Sequence, residues 1–324
     1  MAEALLQISD LSISFGGGAG ELRAVDRVSL AVHRSEVLCL VGESGCGKTL
    51  TALAILRLLP PEARLGAESE VRFGGRDLLR LPERELDKVR ASDIAIIFQD
   101  PASSLNPTQT ISRQLTDAIR QGQKISRRKA QAAALAALSE VGIPSPELRL
   151  KEYPHQLSGG MKQRIMIAMT LAKQPSLLIA DEPTTSLDVT VQAQILHLLH
   201  RLRREQGTAI LFITHDMGVV AQMADRVLVM YAGQVVEHGG ARGVFHRPAH
   251  PYTQGLLRSV PRPDRKYERL NVIEGSVPLP GQPASMCRFA ERCGFCRPLC
   301  RSAAPPLTER DGAFARCFRY TEEW

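Results

Sequence analysis

The sequence predicts an α/β fold: a sheet with parallel strands around a phosphate-binding loop, followed by an irregular, cysteine-rich extension. Three observations predict it. The apolar run Val37-Leu38-Cys39-Leu40-Val41 leads into Gly42-Glu43-Ser44-Gly45-Cys46-Gly47-Lys48-Thr49, and a helical stretch follows. The pattern G-x-x-x-x-G-K-[ST] thus sits between a strand and a helix, where its chemistry needs it. Short apolar runs recur down the chain and end in polar residues, as strands do at the ligand-bearing edge of a doubly wound sheet. Beyond Gly243 prolines and arginines gather, periodicity fades, and five of the seven cysteines fall between Cys287 and Cys317.

Each element follows from its residues. Leu11-Ser12-Ile13-Ser14-Phe15 and Val28-Ser29-Leu30-Ala31-Val32 alternate with the period of a half-buried strand. Residues 37–41 are apolar throughout, as a strand covered on both faces is. Residues 49–59 continue as a helix, stopped by Pro60-Pro61. Residues 94–98 read as a short buried strand ending in Gln99-Asp100-Pro101. From about 103 to 174 the patterning is helical without a strand, a helical insert within the α/β domain. Ser126 caps one of its helices, which Gly142 and Pro144 end, and Leu157-Ser158-Gly159-Gly160-Met161-Lys162-Gln163 opens another. Residues 177–180 form an apolar strand ending in Asp181-Glu182-Pro183, Asp188 caps a helix to about Gln206, and residues 209–213 and 227–231 are further strands. The chain divides into an α/β domain over 1–245 and an extension over 246–324.

A chain of 324 residues with 44% hydrophobic content has material for a packed domain and an appendage. A formal net charge of +7 and a pI near 9.2 point to an acidic neighbour: nucleotide phosphates, an anionic membrane surface or nucleic acid. Residues 1–10 do not read as a secretory signal, and no apolar run approaches the ~18 residues that span a bilayer. The expected place is the cytosol or a membrane's surface. In a reducing compartment clustered cysteines point to metal binding before disulfides.

The motifs carry specific chemistry. Gly42, Gly45 and Gly47 let the loop turn its N–H groups, Ser44 and Cys46 included, onto phosphate oxygens, and the helix start presents its positive end. Lys48 reaches the outer phosphates and the Thr49 hydroxyl can ligate Mg2+. A carboxylate at a strand's C-terminal end lies beside such a loop, so Asp181 can hold Mg2+ and Glu182 is placed to polarise an attacking water. Gln99, at a strand end, can sense the γ-phosphate through Mg2+ or water, and His215 can contact it or orient the water. Gly159 and Gly160 at a helix start make a second anion site. Phe15 reads as core or as a platform for an adenine ring. Four thiolates in the tail suit either Zn2+ or an iron–sulfur cluster.

In this order and spacing, the loop 42–49, Gln99, residues 157–163 and 177–182, Ser186-Leu187-Asp188 and His215 resemble the ATP-binding cassette (ABC) ATPases, P-loop NTPases of RecA-like fold, over about residues 4–245. The resemblance implies ATP and Mg2+ as ligands, with Thr49, Gln99 and Asp181 around the metal. It implies Glu182, Gln99 and His215 in hydrolysis, Phe15 as the adenine platform and Asp188 in the D-loop. It also implies two cassettes closing head to tail, Ser158, Gly159 and Gly160 of one completing the ATP site of the other.

Four further runs narrow the resemblance. Gln99-Asp100-Pro101, Ser104-Leu105-Asn106-Pro107, Tyr153-Pro154-His155-Gln156-Leu157 and His250-Pro251-Tyr252-Thr253 are similar to the dipeptide/oligopeptide and nickel importer subfamily, as is the tail over 275–317. That subfamily's cysteine pattern falls on Cys287, Cys293, Cys300 and Cys317 and implies a [4Fe–4S] cluster; Cys296 departs from it. The implied partners are two transmembrane permease subunits, a second and related ATPase cassette, and an extracytoplasmic solute-binding protein. The chain would then work peripherally on the cytoplasmic face of the inner membrane, coupling ATP hydrolysis to uptake of di- and oligopeptides.

Nickel or another small solute is the alternative cargo. A nucleic-acid-linked ABC ATPase is the alternative of a different class. The short, heptad-free interval between Gly47 and Asp181, the single cassette, and the lack of basic stripes interleaved with aromatics all disfavour it, so no nucleic-acid partner is expected. The tail disfavours an exporter.

Overall fold

The structure, a computed structural model, describes residues 3–16, 21–98, 105–123, 125–185, 187–261, 272–278, 285–310, 312–322 and 324. Strands β1 (Ala4–Phe15) and β2 (Leu22–His33) run well past the five-residue alternations that announce them, and β3 (Val37–Val41) is buried at every position. Helix α1 (Lys48–Ile55) begins on the glycine-rich loop and stops one turn before Pro60. Its end is set by Arg57, which adopts a left-handed φ of 53°. The Arg57 N–H donates to the Ala54 carbonyl at 3.1 Å and the Leu58 N–H to the Leu53 carbonyl at 2.9 Å, a Schellman closure without glycine.

Next come β4 (Ala63–Leu65), β5 (Glu70–Phe73), β6 (Arg76–Asp77), α2 (Glu83–Lys88) and β7 (Ile94–Ile97). The middle of the chain carries α3 (Ile111–Gly122), α4 (Arg127–Glu140), α5 (Pro146–Arg149) and α6 (Gly159–Leu171). The Ser126 hydroxyl caps α4 by accepting from the Lys129 N–H at 3.4 Å. Then follow β8 (Leu177–Asp181), α7 (Val189–Gln206), β9 (Ala209–Thr214), α8 (Met217–Met223), β10 (Arg226–Tyr231) and β11 (Gln234–Gly240). The chain ends through α9 (Ala241–His246), α10 (Pro251–Ser259), α11 (Pro298–Ser302), β12 (Leu307–Arg310) and β13 (Ala313–Arg316).

Two compact units result. One comprises Met1–Leu5, Val32–Glu36 and Arg80–Phe212. In it β9, β8 and β7 are neighbours, β7 parallel to β8 with Ile94 opposite Leu177. Helices α3, α4 and α6 pack on one another through buried side chains such as Leu115, Ile119, Leu138 and Ile165.

The other unit comprises Leu6–Ala31, Val37–Leu79 and Ile213–Trp324, so the phosphate loop and the whole cysteine-rich tail share it. One sheet has the order β2-β1-β5-β6, with β4 paired to β1. In the second, the order is β12-β13-β11-β10-β3, with β10 parallel to β3 and the other pairs antiparallel. The tail is therefore less irregular than its composition suggests. Its strand β13 adds to the sheet edge with Glu237 opposite Ala315, and the Arg316 guanidinium donates to the Val235 carbonyl at 3.1 Å. Four-residue strands are too short for periodicity to reveal; pairing with β11 specifies them.

Candidate functional site

At the end of β3 the backbone passes so close to β10 that a Cβ on Gly42 would stand 2.3 Å from the Met230 carbonyl oxygen. Gly47, the N-cap of α1, has a left-handed φ of 100°, and a Cβ there would stand 2.8 Å from the Ala24 carbonyl oxygen. Both positions therefore demand glycine. Ser44, Gly45 and Thr49 are exposed at the loop's mouth, while Cys46 and Lys48 are buried. No side chain caps the N-terminus of α1, which leaves its first N–H groups for an anion. The Lys48 ammonium donates to the carbonyls of Gly42 at 2.8 Å and Glu43 at 2.9 Å, and to Cys46 Sγ at 3.7 Å. It is a cation folded over its own loop on neutral acceptors, which phosphate oxygens outcompete. Burial pushes the Cys46 thiol up despite the adjacent ammonium, so it stays a neutral filler. In the same unit Phe15 ends β1 half-buried, opposite Ala63 of β4, and His215 is exposed just after β9.

In the other unit β8 delivers two buried carboxylates in succession, Asp181 and Glu182. Glu182 has a left-handed φ of 47°, an uncommon conformation for a side chain of this kind and one that concentrates at functional positions. The Thr185 hydroxyl donates to Glu182 Oε2 at 3.0 Å. The Gln163 side-chain amide donates to the Pro183 carbonyl at 2.5 Å, tying α6 to the turn after the carboxylates. At the head of α6 the Ser158 hydroxyl accepts from the Met161 N–H at 3.3 Å; Ser158 and Gly159 are exposed. Asp188 is exposed and caps α7, accepting from the Val191 N–H at 2.9 Å. Gln99 and Ser186 lie outside the described residues.

The tail cysteines converge. Cys287, Cys293, Cys300 and Cys317 line one cavity of about 10 Å³ together with Phe289, Phe318 and Trp324, and Cys296 is not in its lining. That volume is room for about one water. All are free thiols, and the Cys287 N–H donates to the Cys300 carbonyl at 2.9 Å. Burial pushes Cys287 up to about 12 and raises Cys293 and Cys317 as well, so these thiols are neutral. Among the described residues no group of three or more His, Cys, Asp or Glu is arranged to hold a metal ion. Four thiols meet the expected cluster's demand in number and kind, but no cage is preformed.

Sequence reasoning missed how this tail meets the phosphate loop. The Glu43 N–H donates to the Tyr252 hydroxyl at 2.9 Å, and the Arg292 guanidinium grips the Glu43 carboxylate with Nη1 to Oε2 at 2.6 Å and Nη2 to Oε1 at 2.9 Å. Arg288 Nη2 donates to Asp26 Oδ2 at 2.6 Å, and its other nitrogen Nη1 donates to the Ala232 carbonyl. Glu43 fills an unconstrained position of the loop motif, and nothing local marks the arginines; of the set only Tyr252, inside His250-Pro251-Tyr252-Thr253, carried a signal.

A glycine-rich loop with its lysine between strand and helix, a strand ending in paired carboxylates, and a second glycine pair heading a helix define an ATP-binding-cassette ATPase. Residues 25–185 match the ABC transporter family, and residues 236–300 match the oligopeptide/dipeptide transporter C-terminal region. A probable peptide ABC transporter ATP-binding protein of Sinorhizobium fredii is 50% identical over 323 residues, covering 99% of this chain and 96% of that one. The dipeptide transport ATP-binding protein DppD of Bacillus subtilis is 47% identical, covering 95% and 92%, and the oligopeptide transport ATP-binding protein OppD of Escherichia coli is 46% identical, covering 99% and 95%. The dimeric ATP-binding cassette MJ0796 bound to ADP and Pi superposes with a TM-score of 0.66 at 28% identity, covering 74% of this chain and 99% of that one. The chain belongs to the ABC transporter ATP-binding subunits that carry the oligopeptide/dipeptide C-terminal region, and it is a transport-coupled ATPase. Among the described residues no helix is long and apolar enough to cross a membrane.

Proposed function

We propose that the chain hydrolyses ATP to drive uptake of di- and oligopeptides. The carrying observation is the pairing of a phosphate loop holding a buried lysine with this C-terminal region, in relatives named for peptide transport. In this reading the amides of Ser44, Gly45, Cys46 and Gly47 receive the phosphates, and Lys48 exchanges the carbonyls of Gly42 and Glu43 for phosphate oxygens. Phe15 stacks on the adenine. Thr49, Asp181 and Gln99 would hold Mg2+, which when bound neutralises phosphate charge. The exposed Thr49 hydroxyl and the buried Asp181 carboxylate are oxygen donors of the hard kind that ion takes. Glu182 polarises the attacking water, its carboxylate held by the Thr185 hydroxyl. His215 contacts the γ-phosphate.

Ser158, Gly159, Gly160 and Asp188 serve a second, related cassette; the exposure of Ser158, Gly159 and Asp188 supports this. ATP favours the closed pair and hydrolysis releases it, a population shift with mechanical output. The functional division runs near residue 245, with the helical insert of about 103–174 and the segment after Gln99 gripping two permease subunits. A solute-binding protein delivers the peptide from outside. The chain sits peripherally on the cytoplasmic face of the inner membrane, where a net charge of +7 suits anionic headgroups. Cys287, Cys293, Cys300 and Cys317 take up a [4Fe–4S] cluster. The convergence of these four thiols on one cavity supports this.

Uptake of a labelled tripeptide in cells lacking the chain, then restored with it, tests the reading. Loss and recovery of uptake is expected. Unchanged peptide uptake with lost nickel uptake would move the cargo to the metal.

A further inference from the structure

Glu43 is the first variable residue of the phosphate loop, and each of its polar groups is already engaged by the protein. Its N–H donates to the Tyr252 hydroxyl at 2.9 Å, its carbonyl accepts from Lys48 at 2.9 Å, and both carboxylate oxygens accept from Arg292. The Glu43 amide and carboxylate are thus committed to Tyr252 and Arg292, and through them Glu43 anchors the loop. The anchor point is well built. The Arg292 side chain is only 6% exposed, and it also donates to the carbonyls of Glu274 at 2.9 Å and Ile273 at 3.1 Å. Its guanidinium carbon lies 5.7 Å from the centre of the Tyr231 ring. Tyr231, Tyr252 and Phe289 in turn form one aromatic cluster, with ring centres 4.7 to 5.5 Å apart. Arg292 is the residue before Cys293, so its backbone belongs to the cysteine module.

We propose that Arg292 is a positioning residue for the nucleotide site: from the cysteine module it locks Glu43, and so fixes the phosphate loop in the shape that receives ATP. The proposal rests on the reading of residues 42–49 as the ATP site. Losing Arg292 acts twice. The loop loses its fixed entry, so ordering it costs binding energy. The Glu43 carboxylate is also left uncompensated beside the phosphates, a like-charge pair. Tyr252 holds the same residue by its amide. The cysteine module is thereby coupled to the loop, and whatever unfolds the module weakens ATP binding.

The test is the ATP dissociation constant of the full chain by titration calorimetry, alongside its melting temperature without nucleotide. Arg292→Ala is expected to weaken ATP about tenfold, equal to about 1.4 kcal/mol. Glu43→Gln should weaken it less, and the double variant should be no weaker than Arg292→Ala, because the second change also removes the stranded carboxylate. Arg292→Lys should recover part of the loss. Tyr252→Phe, which deletes one hydroxyl and keeps the buried ring, should weaken ATP by about threefold, leaving an unpaired Glu43 N–H. This variant decides the matter should Arg292→Ala not fold. Wild-type affinity in both Arg292→Ala and Tyr252→Phe would overturn the proposal. So would losses that multiply in the Arg292→Ala/Glu43→Gln double variant. If Lys48→Ala bound ATP normally, the ATP-site reading itself would fall, a separate failure.

Discussion

At the scale of single residues the proposed chemistry centres on Glu182. It is buried, it adopts a left-handed backbone rarely tolerated by such a side chain, and one of its oxygens is held by Thr185. If it polarises water, Glu182→Gln should bind ATP with near-normal affinity and hydrolyse it about 10²–10⁴ times more slowly, so that ATP-bound pairs accumulate. Near-normal turnover in single-turnover kinetics would remove Glu182 from that role. Lys48→Ala should fail differently, losing ATP affinity itself in equilibrium titration, because in the proposed reading the ammonium meets the phosphates in the ground state. Most of these residues were legible in the sequence because strand–loop–helix context turns a glycine, lysine or carboxylate into a placed group. Glu43, Arg288 and Arg292 were not. Their roles depend on partners separated from them by about two hundred positions or more in sequence, and no local pattern encodes such a pairing.

At the scale of elements, strands buried on both faces, such as β3 and β8, were plain from uninterrupted apolar runs. Helix caps were plain where a short polar side chain precedes the periodic run, as Ser126 and Asp188 do. The early end of α1 was not, because a left-handed Arg57 does the work usually given to glycine. The tail strands were not, because a four-residue strand borrows its definition from its neighbour. What fastens the tail to β2 is the Arg288–Asp26 pair, with side chains 7% and 1% exposed. Burial pushes the Asp26 carboxyl up, yet Arg288, Gln234 and Arg23 together hold it below its ordinary 3.8. The pair therefore contributes stability that is complete above that ordinary value and is lost as pH falls through the lower native one. Arg288→Met should cost about 1.5–3 kcal/mol at pH 7, because the buried Asp26 carboxylate loses its most buried charged partner while Arg23 and Gln234 remain. Asp26→Asn in the same chain should return most of it, and denaturant titration at pH 7 and pH 3 should show the wild-type advantage shrinking in acid. A cost below about 1 kcal/mol, or one that grows in acid, would mean the pair does not fasten the tail.

At the scale of the whole molecule, the proposed reading turns on the cysteine module and on an ATP site completed by a second cassette. Anaerobic purification with iron, sulfide and zinc analysis should give coloured protein with about four irons per chain if four thiolates hold a [4Fe–4S] cluster. Replacing Cys300 should abolish the colour and replacing Cys296 should not. Colourless protein with stoichiometric zinc would sink the cluster, and dependence on Cys296 instead would sink the ligand set. The cassette fold was legible from six ordered motifs, but the fact that the tail shares a compact unit with the phosphate loop was not, because three-dimensional proximity leaves no trace in spacing. The most direct measurement is ATP binding and turnover by Ser158→Arg in the assembled transporter. A signature acting across the cassette interface predicts ATP affinity within about twofold of wild type on the isolated chain, with closure and hydrolysis lost. Normal turnover at every protein concentration would contradict the shared site.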